Sequence, residues 1–435
     1  MNLYLMSLAA ALQGLFTTTA QALGKATGFI RRRRRLTAAG FAQTLVFRWM
    51  AKPKTTLESL ARELGVSPQA LRQRLGPQAQ AFLLALLTEA LGKALKVRPE
   101  RLGALDRFPA VVVEDTTVIA LPAELADEFP GCGGRGAGEG AAALKVLLRW
   151  DVRSGEVLAL SVHAGRASDQ GLAATAADLP EGALHLADQG FFNAERWRGF
   201  PAGRFWISRV PARTRVFWEG AWRGLSVVLG SLRGEGFDGA VRLVERADLP
   251  CRLVARRCPA EVAARRRRKL REYTRSKKGR EPSAAQLLLC DWLVFAANVP
   301  GERLGPKELW VVYRCRWQVE LLFKRAKSLA GWGCSRGRTG ARVLVELYAK
   351  LLGLVVLHWG TLLGGGPLNG VSLWKRLCEA QEFARGVQDS LAEGVAAVAR
   401  VLAKLARQLA GIRPQPRKQK RPSTRQLLLN PELAR

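Results

Sequence analysis

The chain has 435 residues, of which 69 are Lys or Arg and 36 are Asp or Glu, giving a formal net charge of +33. Nearly half of the residues are apolar, which excludes wholesale disorder, and the length suffices for roughly two to four domains with real cores. A folded chain this basic repels itself unless a polyanion offsets the charge, which points to nucleic acid or, in competition, an anionic membrane surface.

Residues 1–103 read as helical, and within them Arg31 to Arg35 form a run of five arginines. Such a run is either a solvated basic stretch or a match to a phosphate backbone. Residues 55–75 then carry two short helical patterns. Leu57, Leu60, Ala61 and Leu64 share one face of the first, Gly65 ends it, Ser67 caps the second and Pro68 takes its first turn. This spacing predicts a helix-turn-helix, with a plain helical hairpin as the alternative. In the first case Gln69, Arg72, Gln73 and Arg74 face a DNA groove.

From residue 108 the character changes. Residues 111–121 are an apolar, β-branched run with Glu114 and Asp115 at its centre. A carboxylate buried in mid-strand is costly unless a partner or a metal compensates it. Residues 142–150 and 156–163 are strand-like and joined by a turn, and Lys145 lies in the first. Residues 167–178 read as a helix, and residues 183–187 as a short buried strand running into Asp188 and a Gly turn. An acid at a strand's C-terminal end is a frequent position for catalytic or metal-binding groups in α/β sheets. Residues 204–210, 214–218, 222–229 and 241–245 are short β-like runs in which Trp206, Trp218 and Trp222 cluster. Residues 261–282 are strongly basic and read as a mobile loop or helix, and residues 286–299 return to a buried strand.

Next comes the stretch Tyr313 to Lys327. Turned at 100° per residue as one helix, Tyr313, Arg316, Glu320 and Lys327 share an arc of roughly 60°, with Lys324 beside them. Val319, Leu322, Phe323, Ala326 and Leu329 fill a neighbouring arc and can face a core. A lone carboxylate among cations can hold a divalent metal next to phosphates, or can simply belong to a salt-bridged solvated face. Residues 339–411 are helical again, broken near Gly364, and residues 413–425 are a Pro-interrupted basic tail expected to be unfolded without a ligand.

The remaining chemistry is bounded by scarcity. Seven Cys are scattered with no C-x-x-C pair, and His occurs only at 163, 185 and 358. Zinc ligation and His-based catalysis are therefore disfavoured, and reduced thiols in a cytosolic chain are the default. The start of the chain is mildly apolar but is interrupted by Gln13, Thr17, Thr18, Thr19 and Gln21, and it has no evident cleavage site of a signal peptide. Residues 351–363 are the most apolar run, but the run is short and carries His358 and Trp359, so a buried helix is expected rather than a membrane span. Three acids stand out: Asp115 inside a strand, Asp188 at a strand end and Glu320 on a helix. Acids so delivered can hold two divalent ions for phosphodiester chemistry, and Mg²⁺ suits an all-oxygen donor set.

These residues resemble a known family. Tyr313, Arg316, Glu320 and Lys327 match the Y-x2-R-x3-E-x6-K signature of DDE transposases in the "IS-four" family of bacterial insertion sequences. Asp115-Thr116-Thr117 resembles that family's first-acid strand, and Asp188-Gln189-Gly190-Phe191 its second-acid motif. Gln189 stands where relatives usually carry Arg, and Phe191 where many carry Tyr; neither is a metal ligand. The Thr pair also selects Asp115 over its neighbour Glu114, since strand alternation lets only one of them face a site.

The resemblance implies an α/β fold: an RNase H-like catalytic domain, a mixed sheet flanked by helices, carrying a β-rich insertion. The implied domain plan is a helical DNA-end-binding region at 1–103, a catalytic core at 104–200 and 286–338, the insertion with its basic segment at 201–285, C-terminal helices at 339–412 and a basic tail at 413–435. It also implies Asp115, Asp188 and Glu320 as ligands of two Mg²⁺ ions, with Mn²⁺ able to substitute. Tyr313, Arg316, Lys324 and Lys327 become DNA contacts, and Trp218 or Trp222 a stacking surface for an extruded base. The implied activity is cutting at the element's terminal inverted repeats, through hairpin ends, and joining of the 3′-hydroxyls to target DNA by a homodimer in a synaptic complex. The implied setting is the bacterial cytoplasm at the nucleoid, with no membrane partner. A catalytically inactive, domesticated transposase acting as a DNA-binding regulator is the alternative.

Overall fold

The computed structural model describes residues 3–32, 35–132, 142–331, 337–413 and 422–433. Arg33 and Arg34 of the arginine run, and residues 414–421 of the basic tail, lie outside the described residues. The chain divides into two compact units. The first comprises Met1–Glu100, Asp115–Ala167 and Trp317–Arg425; the second comprises Arg101–Glu114, Ser168–Arg316 and Gln426–Arg435.

The first unit is mainly helical. Leu3–Gly14 continues through a wider turn at Leu15–Thr19 into Ala20–Ala26, and Leu8, Leu12, Leu15 and Phe16 are buried. By length and composition this stretch, Leu3–Ala26, is long and apolar enough to cross a membrane; here Leu5, Leu8, Leu12, Leu15 and Phe16 are buried while Leu3 is exposed. Thr37 caps Ala38–Ala51 by accepting the Gly40 N–H. Thr56 caps Leu57–Glu63 through Ser59, Gly65 takes φ +65°, and Ser67 caps Pro68–Arg74 through Ala70. Pro77–Gly92 follows.

Both Pro77–Gly92 and Ala38–Ala51 pack on Gly340–Thr361, a helix buried along almost its whole length. Its buried Glu346 and Lys350 are paired off: Lys350 bonds Glu346 at 2.6 Å and the Gly331 carbonyl at 3.0 Å. Burial pushes His358 down to about 4, and its neutral ring donates through Nε2 to the Gly155 carbonyl at 2.6 Å. Of strand β1 (Val111–Ala120), the residues from Asp115 onward belong to this unit, where the strand order is β3-β2-β1. Here β2 (Ala143–Asp151) and β3 (Val157–Ala164) form an antiparallel hairpin. The Asp151 carboxylate closes its turn by accepting from the Arg153 and Ser154 backbone N–H groups and the Ser154 hydroxyl, and Gly155 takes φ +79°.

The second unit is a mixed sheet with helices. Residues Val111 to Glu114 of β1 pair in parallel with β4 (Leu184–Ala187), in the register Val111↔Leu184 to Val113↔Leu186, and β4 pairs in parallel with β5 (Phe205–Arg209). The remaining strands are β6 (Arg215–Trp218), β7 (Ala221–Gly224), β8 (Gly236–Leu243), β9 (Leu249–Arg257) and β10 (Trp292–Ala297). They are antiparallel to their neighbours in the order β5-β10-β9-β8-β6-β7. Glu219 and Gly220, both at positive φ, make the two-residue turn between β6 and β7. This is the mixed α/β, RNase H-like class expected from the sequence.

Three local expectations change and one open alternative is decided. Residues 167–178 are not one helix: Asp169–Leu172 and Ala176–Asp178 are separate turns, because the Ala174 N–H is taken by the Glu114 carboxylate rather than by a helix carbonyl. The run 222–229 leaves the sheet at Gly224, and Leu225–Ser231 is a helix that buries Leu225, Val228 and Leu229 at helical spacing. Of the loop or helix read for the basic segment, the structure has the helix, Ala260–Lys278, with Arg266 bonded to the Trp292 carbonyl and Arg267 paired with Asp291. Finally, the stretch 313–327 is not one helix. Pro306–Tyr313 ends, Arg314–Arg316 tightens into a 3₁₀ turn, and Trp317–Ala330 begins anew. The tighter winding breaks the single arc of a continuous α-helix. In the tail, Thr424–Leu429 is helical and buries Leu427 and Leu428.

Candidate functional site

In the second unit the informative residue is Asp188. It follows the last residue of β4 and precedes the turn Gln189–Phe191, which buried Phe191 and Phe192 anchor. Apolar β4 therefore carries the carboxylate to the edge of the core, where its side chain is 39% exposed. Tyr313, at the end of Pro306–Tyr313, packs its ring on Phe295 of β10. Its hydroxyl donates to the Ala187 carbonyl at 3.1 Å and lies 3.4 Å from Asp188 Oδ1. Arg316 Nε stands 3.9 Å from the same oxygen. Asp188 Oδ2 has no protein partner among the described residues. Burial raises the Tyr313 pKa, the Asp188 charge adds to this, and Arg316 and Arg209 oppose it. Tyr313 is thus a fixed hydrogen-bond donor at neutral pH. Arg209 closes β5, the strand next to β4, and was not singled out from sequence; its position at the end of a neighbouring parallel strand was the available signal.

Glu114 behaves otherwise. It is fully buried, both carboxylate oxygens accept the Ala174 N–H at 3.1–3.2 Å, and His185 Nε2 of β4 lies 2.9 Å from Oε1, close but not aligned as a hydrogen bond.

In the first unit, Asp115 on β1 is half-buried, and its Oδ1 accepts the Thr116 N–H at 2.8 Å. The helix Trp317–Ala330 buries Val319, Leu322, Phe323, Ala326 and Leu329 and turns half-buried Glu320 and exposed Lys324 and Lys327 away from them. Lys327 Nζ donates to the Val118 carbonyl of β1 at 3.1 Å, tying the helix that carries Glu320 to the strand that carries Asp115. Trp317 is 54% exposed on the Glu320 and Lys324 face of this helix. Sequence reasoning missed it, although its spacing of three and seven residues to those two was readable.

The structure joins Asp188, Tyr313 and Arg316 in one unit, and Lys327 to the Asp115 strand in the other. Among the described residues neither unit by itself holds a group of three or more His, Cys, Asp or Glu side chains arranged for a metal ion. The Asp188 carboxylate of the second unit, with Oδ2 open, and the Asp115 and Glu320 carboxylates of the first are each oxygen donors of the kind a hard divalent cation takes. Arg72 and Arg74 are exposed on Pro68–Arg74, above buried Leu71. Trp218 meets Phe237 edge-on at 5.1 Å, Trp222 meets Phe217 at 5.5 Å, and the Arg242 guanidinium lies over Phe217 and Trp222. Both indoles are half-buried in their sheet. Trp206 is a core residue, stacked on Trp197. The described cysteines, 132, 251, 258, 290, 315 and 378, are free thiols.

Residues 106–356 match the family model described as "Transposase DDE domain". Among curated proteins, the chain is 25% identical over 365 residues to the transposase for insertion sequence element IS231B of Bacillus thuringiensis subsp. berliner, covering 77% of this chain and 75% of that one. It is 22% identical over 363 residues to the transposase for IS1151 of Clostridium perfringens, covering 77% and 76%. A shorter match, 31% over 106 residues, covers 24% of this chain and 28% of the putative transposase InsL for IS186A of Escherichia coli K12.

Proposed function

The chain belongs to the DDE transposase domain family, and from that premise we propose that it binds the terminal inverted repeats of an insertion sequence, cleaves the DNA there and joins the 3′-hydroxyl ends to target DNA. The observation that carries this reading is Asp188, held at the end of β4 with one carboxylate oxygen open and Tyr313 and Arg316 against the other. We read Tyr313, Arg316, Glu320 and Lys327 as the signature of the "IS-four" family, and Asp115, Asp188 and Glu320 as the carboxylates that hold two Mg²⁺ ions. When bound, such ions activate a water or a 3′-hydroxyl and stabilise the leaving oxygen of a phosphodiester.

The protein's own groups do the positioning. Tyr313 keeps its proton and orients Asp188. Arg316, Lys324 and Lys327 offset phosphate charge beside the cut strand. Exposed Trp317, together with Trp218 and Trp222, offers indole surface for an unstacked base of a hairpin intermediate. Exposed Arg72 and Arg74 contact the ends. Two DNA ends must be held together, so the working species is a homodimer, acting in the cytoplasm at the nucleoid.

The test is a nicking assay on end-bearing DNA with Mg²⁺, comparing wild type with Glu320→Gln. Wild type is expected to nick and the variant to be silent. Cleavage by both proteins, or by neither, would overturn the reading. Adding a target plasmid and finding joined products separates strand transfer from plain nuclease action.

A further inference from the structure

Between the Ala20–Ala26 and Ala38–Ala51 helices, the described residues on either side of Arg33 and Arg34 are held by apolar contacts and backbone hydrogen bonds. Gly28 at φ +68° ends the first helix, and the Ile30 N–H reaches back to the Gly24 carbonyl at 2.9 Å. Phe29 is buried and stacks on Phe82 of Pro77–Gly92 with centroids 5.1 Å apart and planes within 3°. Leu36 is buried at the other end of the loop. Between these apolar anchors, Arg31, Arg32 and Arg35 are exposed. Because Phe82 lies on the helix that follows Pro68–Arg74, the same stack fixes the loop beside the helix-turn-helix pair. The result is a cleft of about 750 Å³ lined by Arg31, Arg32 and Arg35 from the loop and by Gln73, Arg74 and Gln78 from the helices.

The electrostatics of this cleft are one-sided. The first 57 residues contain nine Lys or Arg and no Asp or Glu. None of Arg31, Arg32, Arg35 and Arg74 has a carboxylate partner among the described residues. Guanidinium groups brought together without acids repel one another, so the arrangement favours an external polyanion. Planar N–H forks from the loop and from the Pro68–Arg74 helix, with the Gln73 and Gln78 amides in the same lining, suit phosphate oxygens strung along a strand. We infer that this cleft grips one sugar–phosphate strand of duplex DNA, so that the arginine loop and the Pro68–Arg74 helix clasp the duplex as one device. The inference rests on the reading of the chain as a DNA-acting transposase, and it assigns to Arg31, Arg32 and Arg35 a defined ligand and a defined partner surface.

The test measures binding rather than chemistry. Full-length protein is titrated against a short fluorescent duplex of random sequence, with a chelator present, at several KCl concentrations. Replacing Arg31, Arg32 and Arg35 together by Gln is expected to lower the slope of log affinity against log salt by about three, roughly one per lost phosphate contact. The triple Lys variant, which keeps the charges, is expected to retain most of the slope. Should the triple Gln variant melt early, Arg32→Gln alone serves, with an expected loss of about one. Wild-type binding with an unchanged slope in the Gln variants overturns the cleft assignment and leaves the transposase reading intact. Failure of wild type to bind duplex DNA at all overturns that reading, and the cleft assignment with it.

Discussion

Glu114 and Asp188 sit on neighbouring parallel strands of one unit and carry the same functional group, yet they are treated in opposite ways. Glu114 is fully buried, its two oxygens occupied by the Ala174 N–H, with His185 of the next strand against it. Asp188, at the end of that next strand, is 39% exposed and keeps Oδ2 open. A buried carboxylate is tolerated when the fold supplies partners, and it then serves the fold. A carboxylate brought to a strand end and left with a lone pair unused is available for a ligand. The difference separates an acid consumed by the fold from one left open to a ligand, without reference to sequence similarity.

The largest expected effect that would sharpen this contrast is at Asp188. Asp188→Asn should lower cleavage of end-bearing DNA by about a thousandfold, ~4 kcal/mol in barrier, while the urea midpoint stays near wild type. A substantial loss of stability would place Asp188 with Glu114 and break the comparison. Glu114→Gln should do the reverse, costing about 3 kcal/mol of stability in urea unfolding, with cleavage per folded molecule close to wild type. A stable but inactive Glu114→Gln protein would make Glu114 a second reactive acid. The smallest effect is expected at Tyr313→Phe, which removes one donor to Ala187 and Asp188. Cleavage should fall roughly tenfold, ~1.5 kcal/mol, with stability changed by less than ~1 kcal/mol. Unaltered cleavage would show that Asp188 needs no orienting hydroxyl.

Much of the fold was legible in the chain because its signals are short-range. The Ser67 cap, Pro68 and Gly65 define the two short helices within ten residues, a β-branched run marks β1, and apolar runs mark β2 and β10. The failures have tertiary causes. The helix expected at 167–178 was broken by a carboxylate 60 residues upstream that claimed the Ala174 N–H. The arc drawn through Tyr313 and Glu320 assumed an unbroken helix, but a 3₁₀ turn at Arg314–Arg316 intervenes where Cys315 and Arg316 are buried. Trp317 was counted with neither the core nor the site, because exposure of an indole is a property of packing.

The chain by itself determined the chemistry available: an excess of cations, an arginine run without nearby acids, three acids in strand and helix settings, and the caps that start and stop local elements. Those depend on residue type and on neighbours a few positions away. Only the tertiary structure decided which acids were consumed. Tyr313 meets Asp188 across 125 residues, Lys327 reaches Val118 across 209, and Glu114 takes the Ala174 N–H across 60. Such partners are selected by burial, which compels each enclosed polar group to find a mate wherever the fold brings one, and burial is set by the whole packed chain rather than by any short segment.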